Sequence, residues 1–169
     1  MKRLAALFAT AMLLTLAPAR AAETADPADT YETTLRGEGG TSGSSVAFDG
    51  KDCGGECYAA SLDCDAQHSI SFIFGDVEAK IAAAAITREK QDFTVEIDGA
   101  AYSFFIMKLE YGGDMYSTWL VTGSLPDSSA RAFADALAKA ARFKATIGAE
   151  SLTLPVTADV KTWAAACAK

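Results

Sequence analysis

The placement of the cysteines constrains this chain more than any other feature. Cys53, Cys57 and Cys64 fall within one twelve-residue segment, and Cys167 lies near the other end of the sequence. Whether they pair depends on where the chain is oxidised. Lys2 and Arg3 precede an uncharged apolar run over 4–16, and Ala19-Arg20-Ala21 follows it. That is the layout of a secretory signal peptide cleaved after Ala21. The apolar run is well short of the ~20 residues that span a bilayer, and no cysteine follows the cleavage site to carry a lipid. The expectation is an exported protein, periplasmic or secreted, with no transmembrane anchor. In an oxidising compartment an even set of four cysteines reads as two disulfides. The spacing favours Cys53 with Cys57, closing a CGGEC loop that Gly54 and Gly55 make possible, and Cys64 with Cys167, joining the two ends of the fold. The alternative pairs Cys57 with Cys64 and Cys53 with Cys167.

Charge divides the chain. Cleavage removes three basic residues and leaves 12 basic against 22 acidic, a net −10. Residues 23–76 hold eleven acids against Arg36 and Lys51, whereas 77–169 hold eleven acids against ten bases. An acidic surface of this kind argues against nucleic-acid binding and suits either plain solubility or attraction of a basic partner.

The rest of the chain reads as one α+β domain. Residues 22–45 are rich in Gly, Ser, Thr and acids and read as a flexible acidic leader with one short strand near 31–35. The domain then spans 46–169, beginning with the apolar stretch Val46-Ala47-Phe48. Residues 58–62 form a short strand or turn, and 69–74 a strand. Asp76 caps a helix over 77–87, where Val77, Ile81, Ala84 and Ala85 share a face. The alternation of Phe93, Val95 and Ile97 with polar residues opens a three-stranded meander that continues over 102–110 and 115–122. A helix with Asp127 or Ser128 as N-cap follows, burying Phe133, Leu137 and Ala141. A hairpin over 143–147 and 152–156 precedes a last helix over 158–168, in which Val160, Trp163, Ala164 and Cys167 share one face. The predicted architecture is a mainly antiparallel sheet, a meander plus a small hairpin, with helices packed on one side and disulfides as staples.

Few chemistries find their residues here. His68 is the one histidine. Asp63 or Asp65 could orient it, but no G-x-S-x-G elbow supplies a nucleophile, and a structural histidine is the simpler reading. The C-x3-C-x6-C-x3-H spacing of Cys53, Cys57, Cys64 and His68 fits no common zinc site. Asp63-Cys64-Asp65 is only a fragment of a calcium loop. No metal, cofactor or catalytic residue is therefore assigned.

The candidate contact residues are Asp52 and Glu56 around the CGGEC loop, Asp63 and Asp65 flanking Cys64, and Tyr111, Asp114 and Tyr116 at the Gly112-Gly113 turn. The acids would be fixed by disulfides and the tyrosines would add buried area at low entropic cost.

The meander carrying VEIDG, the segment ALAKAARFKATIGAESLTLPVT and the final WAAACAK together resemble small exported proteobacterial proteins of the invasion-associated locus B family, over roughly 93–167. CGGECYAASLDC has no counterpart in that pattern. The resemblance implies a periplasmic, non-enzymatic protein and carries over no functional residue. The combined reading is a periplasmic binding or inhibitory protein, such as an immunity protein or inhibitor directed at a basic cell-wall-degrading enzyme. The alternatives are a small carboxylate-based hydrolase and an envelope structural or stress protein.

Overall fold

Strict alternation of inward apolar and outward polar residues makes most of this chain strand. A computed structural model describes residues 27–37, 43–51, 58–77, 81, 92–111 and 119–168. The expected signal segment, Cys53 and Cys57 with Asp52 and Glu56, most of the helix expected over 77–87, and Asp114 with Tyr116 lie outside the described residues.

A 3-10 turn, Pro27–Thr30, leads into β1 (Tyr31–Arg36), β2 (Ser44–Gly50), β3 (Tyr58–Cys64) and β4 (Ile70–Val77). Next come β5 (Asp92–Ile97), β6 (Ala100–Tyr111) and β7 (Trp119–Ser124). Helix α1 (Asp127–Leu137), the hairpin β8 (Arg142–Ile147) and β9 (Glu150–Pro155), and helix α2 (Ala158–Cys167) complete the order.

The meander β5–β6–β7, the β8–β9 hairpin and both terminal helices stand where the sequence puts them. What the sequence does not give is their union. All nine strands form one antiparallel sheet in the order β1-β2-β3-β4-β7-β6-β5-β8-β9. It curls into a nearly closed barrel, with the 3-10 turn ahead of β1 packed on β9. The short strand expected near 31–35 is β1, but it belongs to the sheet rather than to a flexible leader, with a six-residue register on β2. Val77, expected in a helix, ends β4 and pairs with Trp119. An apolar residue satisfies either element, and its partner strand decides.

One face of the sheet and one face of each helix share a single core. Phe72 is its hub, with ring contacts to Phe74, Phe93, Phe104 and Phe143 at 4.9–6.3 Å. Phe133 of α1 meets Phe104 edge-on at 5.4 Å. Helix α1 begins after Pro126, which sits at the N-cap with no side-chain hydrogen bond, so Asp127 is the first helical residue rather than the cap. Its buried face is Ala130, Phe133, Ala134 and Leu137. The helix stops before Ala141, which is exposed, and Ala140 is buried instead.

Helix α2 closes the barrel against β1, β2 and α1. Thr157 caps it by accepting from the Val160 N–H. The Thr33 hydroxyl of β1 meets the Thr157 hydroxyl at 2.8 Å and donates to Asp159 at 3.1 Å. Trp163 is fully buried, and its Nε1 donates to the Ser44 carbonyl at 3.1 Å. Cys167 is disulfide-bonded to Cys64 of β3, with Cα atoms 6.1 Å apart and a sequence separation of 103. The end-to-end pairing is therefore present, and the alternative that joins Cys64 to Cys57 is excluded.

Candidate functional site

Inward alternation fixes what the opposite face of β1–β3 displays. With Val46, Phe48, Ala60, Leu62 and Cys64 in the core, the residues between them turn outward. The antiparallel register then places Glu32 opposite Asp49, and sets Arg36, Ser45 and Asp63 in one row across three strands. Among the described residues, Glu32, Asp49 and Asp63 thereby share the outer face of the neighbouring strands β1, β2 and β3.

Tyr58 organises this face. Its hydroxyl donates to Ser61 Oγ at 2.8 Å, and Ser61 Oγ in turn donates to Asp63 Oδ2 at 3.4 Å. The ring can lie against the sheet because position 75 is glycine: a Cβ there would come within 2.7 Å of the Tyr58 ring. Burial pushes the Tyr58 phenol up to about 12, against the Ser61 hydrogen bond and with help from the negative charges of Asp63 and Asp49. Burial also raises the Asp63 carboxyl above its ordinary value, opposed by the bond from Ser61. Asp49 is raised for the same first reason. Arg36 pulls it down and Glu32 pushes it up. These carboxylates are partly desolvated and only partly compensated by the protein's own cations.

An open groove of about 360 Å³ runs past this network, lined by Arg36, Ser45, Asp63 and Asp65 with Gly37 and Gly43 at one side. Asp63 lines it. Asp65 is there too, but it has a second occupation. Its Oδ1 accepts the backbone N–H groups of Gln67 (2.9 Å) and Ser69 (2.8 Å), which shapes the β3–β4 turn. His68 stands exposed in that turn with φ of 64°. Among the described residues no three His, Cys, Asp or Glu side chains converge as metal ligands, and no helix is long and apolar enough to cross a membrane.

Tyr111 is half exposed, with its ring edge-on to Trp119 at 5.7 Å. It does not join the acidic face. The row through Asp63 continues through Ser71 and Ser124 to Phe105. Tyr111 lies six residues further along β6, about 20 Å by strand rise, and three strand spacings, about 14 Å, to the side. Among the described residues, Asp63 and Tyr111 therefore lie on separate parts of the sheet.

Sequence reasoning did not single out Glu32, Asp49 or Tyr58. The alternating pattern of YETTLR carried the signal for Glu32, but its position beside Asp49 exists only once β1 pairs with β2. Phe105 and Met107 were also missed as surface residues, since apolar residues in a meander read as core. No family model, curated protein or solved structure matches the chain, so its chemistry rests on these residues alone.

Proposed function

We propose that the chain is an exported, non-catalytic binding protein that occludes a basic protein partner in the envelope, with the outer face of β1–β3 as its contact surface. A wall-degrading enzyme or toxin is the partner class, and the role is that of an inhibitor or immunity protein. The observation that carries this reading is that β1–β3 and the turn after them present two groups of acids, Glu32 opposite Asp49 and, four residues along β1, Asp63 and Asp65 lining a groove with Arg36, while acids and bases nearly balance beyond residue 77.

The physical advantage is specific. Asp49 and Asp63 are held above the ordinary carboxylate range chiefly by burial. They have already lost part of their hydration, so covering them costs less than covering a fully solvated acid. A lysine or arginine from a partner would supply the compensation that the fold withholds. The surrounding field would steer such a partner, raising its association rate more than its affinity.

The test is binding and inhibition of a lysozyme-type muramidase, followed kinetically across salt concentration. Association should slow steeply with salt, and Asp63→Asn should lower mainly the on-rate. Asp65→Asn is a poor probe, because it also weakens the β3–β4 turn. Absence of inhibition, or binding indifferent to salt, would refute the proposal.

A further inference from the structure

The large apolar side chains that the described residues leave exposed all belong to β6: Phe105 at 54 %, Met107 at 71 % and Tyr111 at 51 %. They lie on or beside the half of the strand that, among the described residues, is also an edge. β5 pairs with residues 100–105 only. Among the described residues, 106–111 bond to β7 along one side and to no strand along the other. An exposed, apolar edge of this length is a template for strand addition, and proteins ordinarily blunt such edges with unpaired charge. Here the two charges, Lys108 and Glu110, neutralise one another at 2.6 Å.

The sequence of this edge is its own complement. Reading Met107-Lys108-Leu109-Glu110-Tyr111 in either direction gives apolar, charged, apolar, charged, apolar, with the signs exchanged. We infer that 107–111 pairs antiparallel with the same segment of a second copy, about a two-fold axis through Leu109, to form a sheet continuous across two chains. In that register Lys108 faces Glu110 of the second copy, Glu110 faces its Lys108, Leu109 faces Leu109, and Met107 meets Tyr111 at each end.

Charge selects the register. Directly opposed residues in a ladder share a face, so the pairing can slip only in steps that preserve that parity. Centring on position 108 sets lysine against lysine, and centring on position 110 sets glutamate against glutamate. Like charges directly opposite are destabilising, whereas opposite charges favour the pair. The half-buried Ile106 and Leu109, already packed against the core, hold the edge rigid for pairing. The bulge between Ile106 and Lys108 limits the ladder's length. The contact is thus smaller than the roughly 1,200 Å² of a stable interface, and the dimer is in concentration-dependent equilibrium with monomer.

This surface is distinct from the acidic face of β1–β3, so its test does not depend on the partner proposed above. Sedimentation equilibrium of the purified, oxidised protein over a wide concentration range should show a reversible monomer–dimer equilibrium. Lys108→Glu and Glu110→Lys should each weaken self-association on the order of tenfold or more. Both side chains are about half exposed or more, and unchanged thermal melts would show that the fold is intact. An equimolar mixture of the two single variants should associate again, because every acid of one then faces a base of the other. The double variant K108E/E110K should self-associate like the natural sequence. A protein that is monomeric throughout, or a dimer indifferent to these charges, would overturn the inference.

Discussion

Replacing Cys64 and Cys167 together by alanine tests how the end-to-end disulfide stabilises the fold. The bond closes a loop across 103 positions. In the chain-entropy relation a loop of about 100 residues corresponds to about 4.7 kcal/mol at 25 °C, taken from the unfolded ensemble. The two sulfurs are also buried, at 5 % and 2 % exposure, and their loss adds a packing cost of about 1 kcal/mol. The expected destabilisation is about 4–6 kcal/mol, a large part of the total stability of an ordinary domain. With a urea slope of about 2 kcal/mol/M the midpoint falls by about 2–3 M. The double variant leaves Cys53 and Cys57 untouched, so the loss belongs to this bond alone. The native state should change little, because Trp163 still fills the core and still donates to the Ser44 carbonyl. Near-UV circular dichroism should therefore keep its tryptophan bands in the absence of urea. A midpoint shift below about 0.5 M with unchanged spectra would refute the entropic argument. Loss of the tryptophan bands would show instead that α2 needs the bond in order to dock.

Two further expectations come from the core and the acidic face. Gly123→Ala would drive a methyl group into the Phe93 ring, which stacks on Phe104 at 5.3 Å. Displacing that pair should destabilise by about 1–3 kcal/mol in urea unfolding, and a neutral result would mean that Phe93 has room the packing does not show. The second concerns pH. Because the folded state holds the Asp63 pKa above its model-compound value of 3.8, the native protein binds more protons than the unfolded chain between that value and the raised one. Stability from this group is therefore lost as pH rises through that window. Asp63→Asn should stabilise the protein at pH 7, with the gain shrinking as pH falls through that same window. A stability difference that does not vary with pH would contradict a raised pKa.

Local periodicity carried much of this fold. Phe93, Val95 and Ile97 announce β5 through strict alternation, and Val160, Trp163, Ala164 and Cys167 announce the buried stripe of α2 through helical spacing. The pairing of Cys64 with Cys167 was also within reach, since it joins a strand end to that stripe. Pairings between distant strands were not legible. Nothing local in 70–77 says that it lies beside 119–124, yet β4 and β7 are what fuse the two halves of the sheet. The same limit hid the functional surface. Asp63 was visible as an acid beside a cysteine, but its burial and its link to Tyr58 through Ser61 depend on the Tyr58 ring resting over Gly75. Asp65 was visible in the same way, but its second occupation was not: a short carboxylate that opens a tight turn accepts from backbone N–H groups. Pro126 replaced the expected cap for a local reason, as a proline ahead of a helix fixes the entry angle without a side-chain acceptor.

The bond between Cys64 and Cys167 has a consequence for the order in which the chain matures. A polypeptide emerging from its N-terminus presents Cys53, Cys57 and Cys64 together, and the partner of Cys64 arrives 103 residues later. At synthesis rates of about 5–20 residues per second that is a delay of about 5–20 s. Throughout that interval the Cys64 thiol has two near neighbours and no native partner. An oxidant that joins thiols as they emerge has two courses: linking Cys53 to Cys57 leaves Cys64 free for Cys167, whereas linking Cys64 to either of them requires thiol–disulfide exchange to release it once α2 arrives. Accumulation of the correctly bonded protein depends on reshuffling capacity in the compartment as well as on oxidising power. Wherever Cys64 is captured early, an oxidase without an isomerase leaves the chain in the wrong covalent form.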